Sequence, residues 1–274
     1  FEKKIQDTND TTGETSGWQD SADYDIGDAV PYQLTATLAN NVTDYLTYHI
    51  TFHDTMEKGL TFESVSSVTV NGTAVAADGY KLTVAEDRHS FDLTLSWGDG
   101  KTRISDAKLN KAKVEVYFTA ILNEDAVIGG HGNVNTAKLE YSGLQSEETE
   151  ETEDDFVICF TYQVNVNKVD PDGQALAGAV FTLEKALKDG TRQLMDCVTT
   201  GDGTGFSFRG LDDGDYILTE TVVPAGYVAI QPIEFTVTAE HKAVWTGGVR
   251  TDVLTGLSGD VTTGELTLTA SADK

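Results

Sequence analysis

Apolar residues along this chain recur mostly at every second position. Tyr32-Gln-Leu-Thr-Ala-Thr-Leu38, Tyr45-Leu-Thr-Tyr-His-Ile-Thr-Phe52, Phe91-Asp-Leu-Thr-Leu-Ser-Trp97 and Lys113-Val-Glu-Val-Tyr-Phe-Thr-Ala-Ile121 all alternate in this way. A period of two sends successive side chains to opposite faces, so each run predicts a half-buried strand. Val164-Asn-Val-Asn-Lys168 and Tyr216-Ile-Leu-Thr-Glu220 continue the pattern in the second half. Asn71-Gly72, Asp78-Gly79, Gly98-Asp-Gly100, Asp172-Gly173, Asp189-Gly190, Gly201-Asp-Gly203 and Asp213-Gly214 supply the turns between strands. Ser105 to Lys111 fits a short helix or turn. Many short strands at this spacing predict an all-β protein of sandwich type.

One stretch breaks the pattern. Ser146 to Asp155 reads Ser-Glu-Glu-Thr-Glu-Glu-Thr-Glu-Asp-Asp and holds no apolar residue. Such a segment has nothing to bury and predicts a solvated linker. The expected organisation is therefore a first domain at 1–145, an acidic linker at 146–155 and a second domain at 156–274. At 274 residues the length suits two tandem immunoglobulin-like β-sandwich domains. No residue-by-residue repeat relates the halves.

Composition narrows the function. Hydrophobic residues make up 39%, enough for real cores. With 45 acidic and 19 basic residues the formal charge is −26. That argues against nucleic acid, whose phosphates need basic patches, and against an anionic membrane surface. It suits a soluble, self-repelling extracellular surface. No run of 18 apolar residues is present that could span a bilayer as a helix. Neither a signal peptide nor a wall-sorting signal occurs, as expected if both are removed or lie outside this stretch. The two cysteines, Cys159 and Cys197, read as buried strand thiols; their pairing is open.

Parity places charges where they are costly. Val164, Val166 and Lys168 share one face; Tyr216, Leu218 and Glu220 share another. Lys168 and Glu220 are thus expected in an apolar core, either as a buried ion pair or as partners in covalent chemistry. In the first half Phe1, Lys3 and Ile5 share a parity, so Lys3 faces inward and Lys4 outward. Phe52 and Asp54 share a face, as do Asn135, Ala137, Leu139 and Tyr141. Lys4 and Asn133 are the rivals if that register slips by one.

These residues carry two family resemblances. Lys168-Val-Asp, Leu176-Ala-Gly-Ala-Val-Phe181, Gly210-Leu211, Gly214-Asp-Tyr216 and Glu220-Thr-x-x-Pro224-x-Gly-Tyr227 resemble the collagen-adhesin B-type (Cna B-type) repeat domain of Gram-positive surface proteins, over roughly 160–240. Lys3, the Tyr24-Asp-Ile-Gly-Asp28 entry, Phe52-His-Asp54…Gly59-Leu60 and Asn135-Thr-Ala resemble the shaft domains of Gram-positive, sortase-assembled backbone pilins. The resemblance implies a Lys3–Asn135 isopeptide bond promoted by Asp54. In the second domain it implies that Lys168 reacts with an Asn or Asp on the last strand, promoted by Glu220. No asparagine follows Asn167; Asp252, Asp260 and Asp273 are the substitutes, or the true last strand lies beyond Lys274. On that last expectation Gly264 to Thr269 is a penultimate strand.

The chemistry has a physical logic. A lysine attacks only as the neutral amine, and its ordinary pKa is about 10.4. Burial lowers that value and raises a neighbouring carboxyl's. A neutral carboxyl can then polarise the Asn carbonyl and shuttle protons to departing ammonia.

Other signals are weaker. His49 and His53 sit four apart on a strand, too far for one ligand shell; Asp170-Pro-Asp-Gly173 and Asp212-Asp-Gly-Asp215 lack the twelve-residue calcium pattern and read as turns. No metal and no cofactor are expected, and turnover of an external substrate is not indicated. The resemblance implies a structural subunit of a cell-wall-attached pilus, with other pilin subunits as sortase-linked partners. The alternative is an adhesin stalk that binds a host or matrix protein through an exposed aromatic patch, to be sought at Trp18, Trp97 and Trp245.

Overall fold

The structure is a computed structural model describing residues 1–143, 148–201, 203, 205–242, 245–246, 249–250 and 253–272. The first sandwich comprises β1 (Glu2–Ile5), β2 (Ser21–Asp23), β3 (Ala29–Thr37), β4 (Thr47–Met56), β5 (Leu60–Val70), β6 (Thr73–Ala74), β7 (Lys81–Val84), β8 (Ser90–Gly98), β9 (Lys113–Leu122), β10 (Asn133–Ser142), β11 (Thr149–Glu151) and β12 (Asp155–Phe160). One sheet runs β1-β3-β9-β5-β6; the facing sheet runs β2-β12-β10-β4-β8-β7, with β11 beside β10. The second contains β13 (Tyr162–Val169), β14 (Val180–Ala186), β15 (Arg192–Thr199), β16 (Gly205–Leu211), β17 (Gly214–Val222), β18 (Ile233–Val237), β19 (Ala239–His241), β20 (Trp245–Thr246), β21 (Val249–Arg250), β22 (Leu254–Leu257) and β23 (Glu265–Ser271). Its main sheets are β16-β13-β23 and β15-β14-β17-β18.

The alternating runs become strands whose inward positions build the cores. On β9, Val114, Val116, Phe118 and Ala120 are buried and the residues between them are not. The hairpin turn at Asn71-Gly72 takes positive φ at both residues, 49° and 75°, the geometry that favours this dipeptide. The stretch expected as a helix or turn yields one turn of 3₁₀-helix, Ala107–Leu109, capped by the Asp106 side chain.

Three expectations are corrected. The acidic segment is not simply a linker. Thr149–Glu151 pairs with β10, and Asp155–Phe160 lies between β2 and β10 in the first sandwich. Backbone ladder bonds hold Thr149–Glu151, whose side chains are exposed. Second, the Gly264–Thr269 stretch enters β23 at Glu265, and that strand takes the place beside the first strand of its domain, parallel to it, with Lys168 in register with Ala270. Third, Cys159 is buried but Cys197 is exposed, and both are free thiols.

The strand β12 has consequences for the whole molecule. Val157 and Cys159 point into the first core, Ile158 and Phe160 into the second. Both faces are buried, so one strand belongs to two hydrophobic cores. Only Thr161 separates it from β13. That residue is fully buried; its hydroxyl donates to the Leu211 carbonyl and its carbonyl accepts from Gly129. The domains are therefore joined by packed β-structure.

Candidate functional site

In the first domain the pairing of strands assembles a buried triad. Antiparallel pairing of β10 with β4 sets Ala137 opposite Asp54 and Asn135 opposite Met56, so Asp54 and Asn135 are diagonal neighbours. From the facing sheet β1 contributes Lys3, whose ammonium contacts the Asp54 carboxylate. Lys3, Asp54 and Asn135 are at most 1% exposed. The amine lies 5.3 Å from the Tyr32 ring centre and 5.0 Å from that of Phe118. Burial among these apolar groups pushes the Lys3 pKa down, against the opposing pull of Asp54. The same burial pushes Asp54 up, against Lys3 and the nearby Asn135 amide. Both shifts favour a neutral amine beside a neutral acid.

The unpaired atoms are informative. Neither atom of the Asn135 amide makes a hydrogen bond, and Asp54 Oδ1 and the Tyr32 hydroxyl are likewise buried without one. Such groups normally find partners or cost on the order of 1–3 kcal/mol each. Asn133 behaves differently. It accepts from Val127 N (2.8 Å) and donates to the carbonyls of Val127 (3.1 Å) and Cys159 (3.2 Å). A Cβ on Gly59 would lie 2.2 Å from the Asn133 side chain, so that glycine is needed for the close approach. Asn133 is a satisfied structural residue. Lys4, the other rival, is half-buried and pairs with Asp20 and Glu2.

The second domain brings together Lys168 and Glu220, both side chains fully buried, with Nζ to Oε1 at 3.3 Å. Lys168 Nζ makes no hydrogen bond and lies 5.8 Å from the Phe181 ring centre. Glu220 Oε2 accepts from Ile230 N at 3.0 Å. No acid or amide is offered by β23 in register: Ala270 faces Lys168, flanked by Thr269 and Ser271. Of the substitutes, Asp260 is exposed and accepts from Thr262 N and Thr263 N in its own turn. Asp252 and Asp273 lie outside the described residues.

A cluster at the domain junction had escaped the sequence reading. Lys185 on β14 is fully buried, with Asp212 at 2.6 Å, Asp25 at 2.7 Å and Asp10 at 3.0 Å. Asp10 and Asp25 come from the first domain, Asp212 from the second. Asp25 also accepts from Asp212 N at 2.8 Å. These carboxylates hold the lysine above its ordinary pKa despite burial. A second contact pairs His241 of β19 with Asp7 and Asp23 of the first domain; they push its pKa up to about 9. Arg209 donates to the carbonyls of Glu124 and Ala126. Gly210, at φ 77°, lets Ile26 approach where any Cβ would lie 2.5 Å from its side chain. The available signal was parity: Phe181, Leu183 and Lys185 share a face on one strand.

Elsewhere, His49 contacts Ser142 and Glu140, and His53 contacts Asp92. Trp18 packs on Tyr117 and Trp97 on Tyr48, both half-buried; the Trp245 side chain lies outside the described residues.

Residues 162–248 match the prealbumin-like fold domain family, and residues 26–145 match the family of Gram-positive pilin backbone subunit 2, Cna-B-like domain. The molecule is thus a tandem of two β-sandwich domains, one matching each family. Over residues 26–145 it carries the domain of the Gram-positive pilin backbone family. The trypsin-resistant surface T6 protein of Streptococcus pyogenes serotype M6 is 25% identical over 235 residues, 74% of this chain. The chain spans 40% of that relative's length. The structure of the T6 backbone pilin, described as a modular three-domain structure, has 20% identity and a TM-score of 0.67, covering 99% of this chain and 69% of that one. The group B streptococcus pilus 2b backbone protein has 20% identity and a TM-score of 0.66, covering 100% of this chain and 98% of that one. At such identities the two structures speak to fold.

Proposed function

We propose that this chain is part of the structural shaft of a Gram-positive surface pilus, exposed outside the cell and attached to its wall. Its first domain would be locked by a self-formed Lys3–Asn135 bond. The observation that carries the reading is the Asn135 amide, buried with both polar atoms unpaired beside a lysine and an acid that burial drives towards neutrality. Lys3 Nζ attacks the Asn135 side-chain carbonyl carbon. The Asp54 carboxyl donates a hydrogen bond to the carbonyl oxygen, takes a proton from the attacking nitrogen and passes one to the leaving nitrogen. Ammonia departs and an amide remains. The amine, costly as a buried charge, is consumed, and Asp54 is returned as the neutral acid. Each molecule reacts once, so this is self-modification.

The placement suits tension. Lys3 is on the first strand of the domain and Asn135 on a late one, in opposite sheets. A bond between them carries load past the strands in between. The shared strand β12 and the Lys185 cluster pass it to the second domain without a flexible hinge. Other pilin subunits, joined by sortase, are the proposed partners. Intact mass under denaturing, reducing conditions tests the bond: a deficit of about 17 Da, the mass of one ammonia, is expected. Fragment ions linking the Lys3 and Asn135 peptides would locate it. A full-length mass without deficit would reduce Lys3 and Asp54 to an ordinary buried pair.

A further inference from the structure

His241 Nε2 lies 3.6 Å from Asp7 Oδ2 and 3.6 Å from Asp23 Oδ1. Those separations are too long for hydrogen bonds. They are close to the edge of a coordination polyhedron: ligands bonded at about 2.0–2.2 Å in a tetrahedral arrangement stand about 3.4 Å apart. The three ligand atoms all lie within 4.8 Å of one another. Asp23 is 1% exposed, and its second oxygen, Oδ2, has no hydrogen-bond partner. The buried Tyr162 hydroxyl close to Asp23 is also unsatisfied. The other imidazole nitrogen, Nδ1, is 2.8 Å from Ser21 Oγ. With Nδ1–H donated to that hydroxyl, Nε2 becomes the ligand once a metal displaces its proton, the outer-shell support seen around metal-bound histidines. A crevice of about 220 Å³ lined by Gln19, Asp20, Ser21, His241 and Lys242 opens beside the ring.

We propose that Asp7, Asp23 and His241 form a binding site for a divalent first-row transition metal at the domain junction. One imidazole and two carboxylates match zinc or manganese better than calcium, which prefers oxygen throughout. Water would complete the shell. The two aspartates belong to the first domain and the histidine to β19 of the second, so a bound ion ties one domain to the other. This clamp is independent of the Lys3–Asn135 bond: none of its ligands belongs to that triad.

The test is calorimetric titration of the EDTA-stripped protein with zinc chloride and, separately, manganese chloride, with melting temperature followed in parallel. One equivalent is expected to bind and to raise the melting temperature. His241→Ala and Asp23→Asn should each weaken binding at least tenfold. His53→Ala should leave it unchanged, because that residue belongs to a different, more exposed group with Glu140 and Glu151. Circular dichroism of each variant confirms folding, and Asp23→Asn keeps the shape of the site if His241→Ala loosens the junction. Absence of saturable binding to the parent, or binding that survives His241→Ala and Asp23→Asn, would overturn the proposal. Loss of binding in His53→Ala alone would move the ion to the other group and overturn it equally.

Discussion

Asn135→Ala is the sharpest test of the lock, because it removes the electrophile and leaves the Lys3–Asp54 pair in place. The proposed bond closes a loop of about 130 residues. On the chain-entropy scale for cross-links, a loop of that length restricts the unfolded chain by about 5 kcal/mol. The substitution deletes only a small amide that makes no hydrogen bond, so packing losses should be minor beside this figure. For a domain of about 150 residues, each kcal/mol shifts the melting temperature by about 2–4 °C. The expected fall is therefore about 10–20 °C, measured by scanning calorimetry, with the mass deficit abolished. Trypsin should cut the variant faster, since cleavage follows the population of opened molecules. A variant that melts within a few degrees of its parent would refute the reasoning even if the parent carries the bond, because the loop-closure argument would then have failed.

Three further outcomes follow from other sites. Lys185→Ala should cost about 3–5 kcal/mol in urea unfolding, because Asp25 and Asp212 are left buried without their cation; the loss should appear as separation of one transition into two if the cluster couples the domains. Ala270→Asn should create a second mass deficit of about 17 Da, since it puts an amide in register with Lys168 beside Glu220; a mass unchanged from the parent would show that the second triad cannot react. Asp28 has its pKa raised to about 6 by burial and by the neighbouring Asp25 and Asp10 carboxylates. A carboxyl with a raised folded-state pKa costs stability as pH climbs from its unfolded value, about 3.9, through that raised value. Asp28→Asn should therefore melt higher than the parent at pH 8 and equally at pH 3.5, read by thermal scans across that range.

The strands were legible because a period of two is a local property. Each alternating run carries its own inward face, and Lys3, Asp54, Asn135, Lys168 and Glu220 were placed inside by parity alone. Parity also chose Lys3 over Lys4, but Asn133 and Asn135 share a parity and both proved buried. Only the three hydrogen bonds of Asn133, made to a loop and to β12, distinguish a satisfied amide from an unpaired one. The acidic segment misled for the opposite reason. Its composition offers nothing to bury, yet ladder bonds to the preceding strand β10 order part of it.

What the sequence determined by itself is therefore the all-β class, the two-domain plan and some of the charges forced inward, all consequences of periodicity along one strand. The tertiary structure decided which of those charges meet. Lys185 finds Asp25 across 160 residues and His241 finds Asp7 across more than 200. It also set Ala270 beside Lys168 and gave β12 to both cores. Such contacts depend on strand order, register and the angle between domains, which no local pattern encodes, because burial fixes that a charge must be compensated and leaves the partner to the topology.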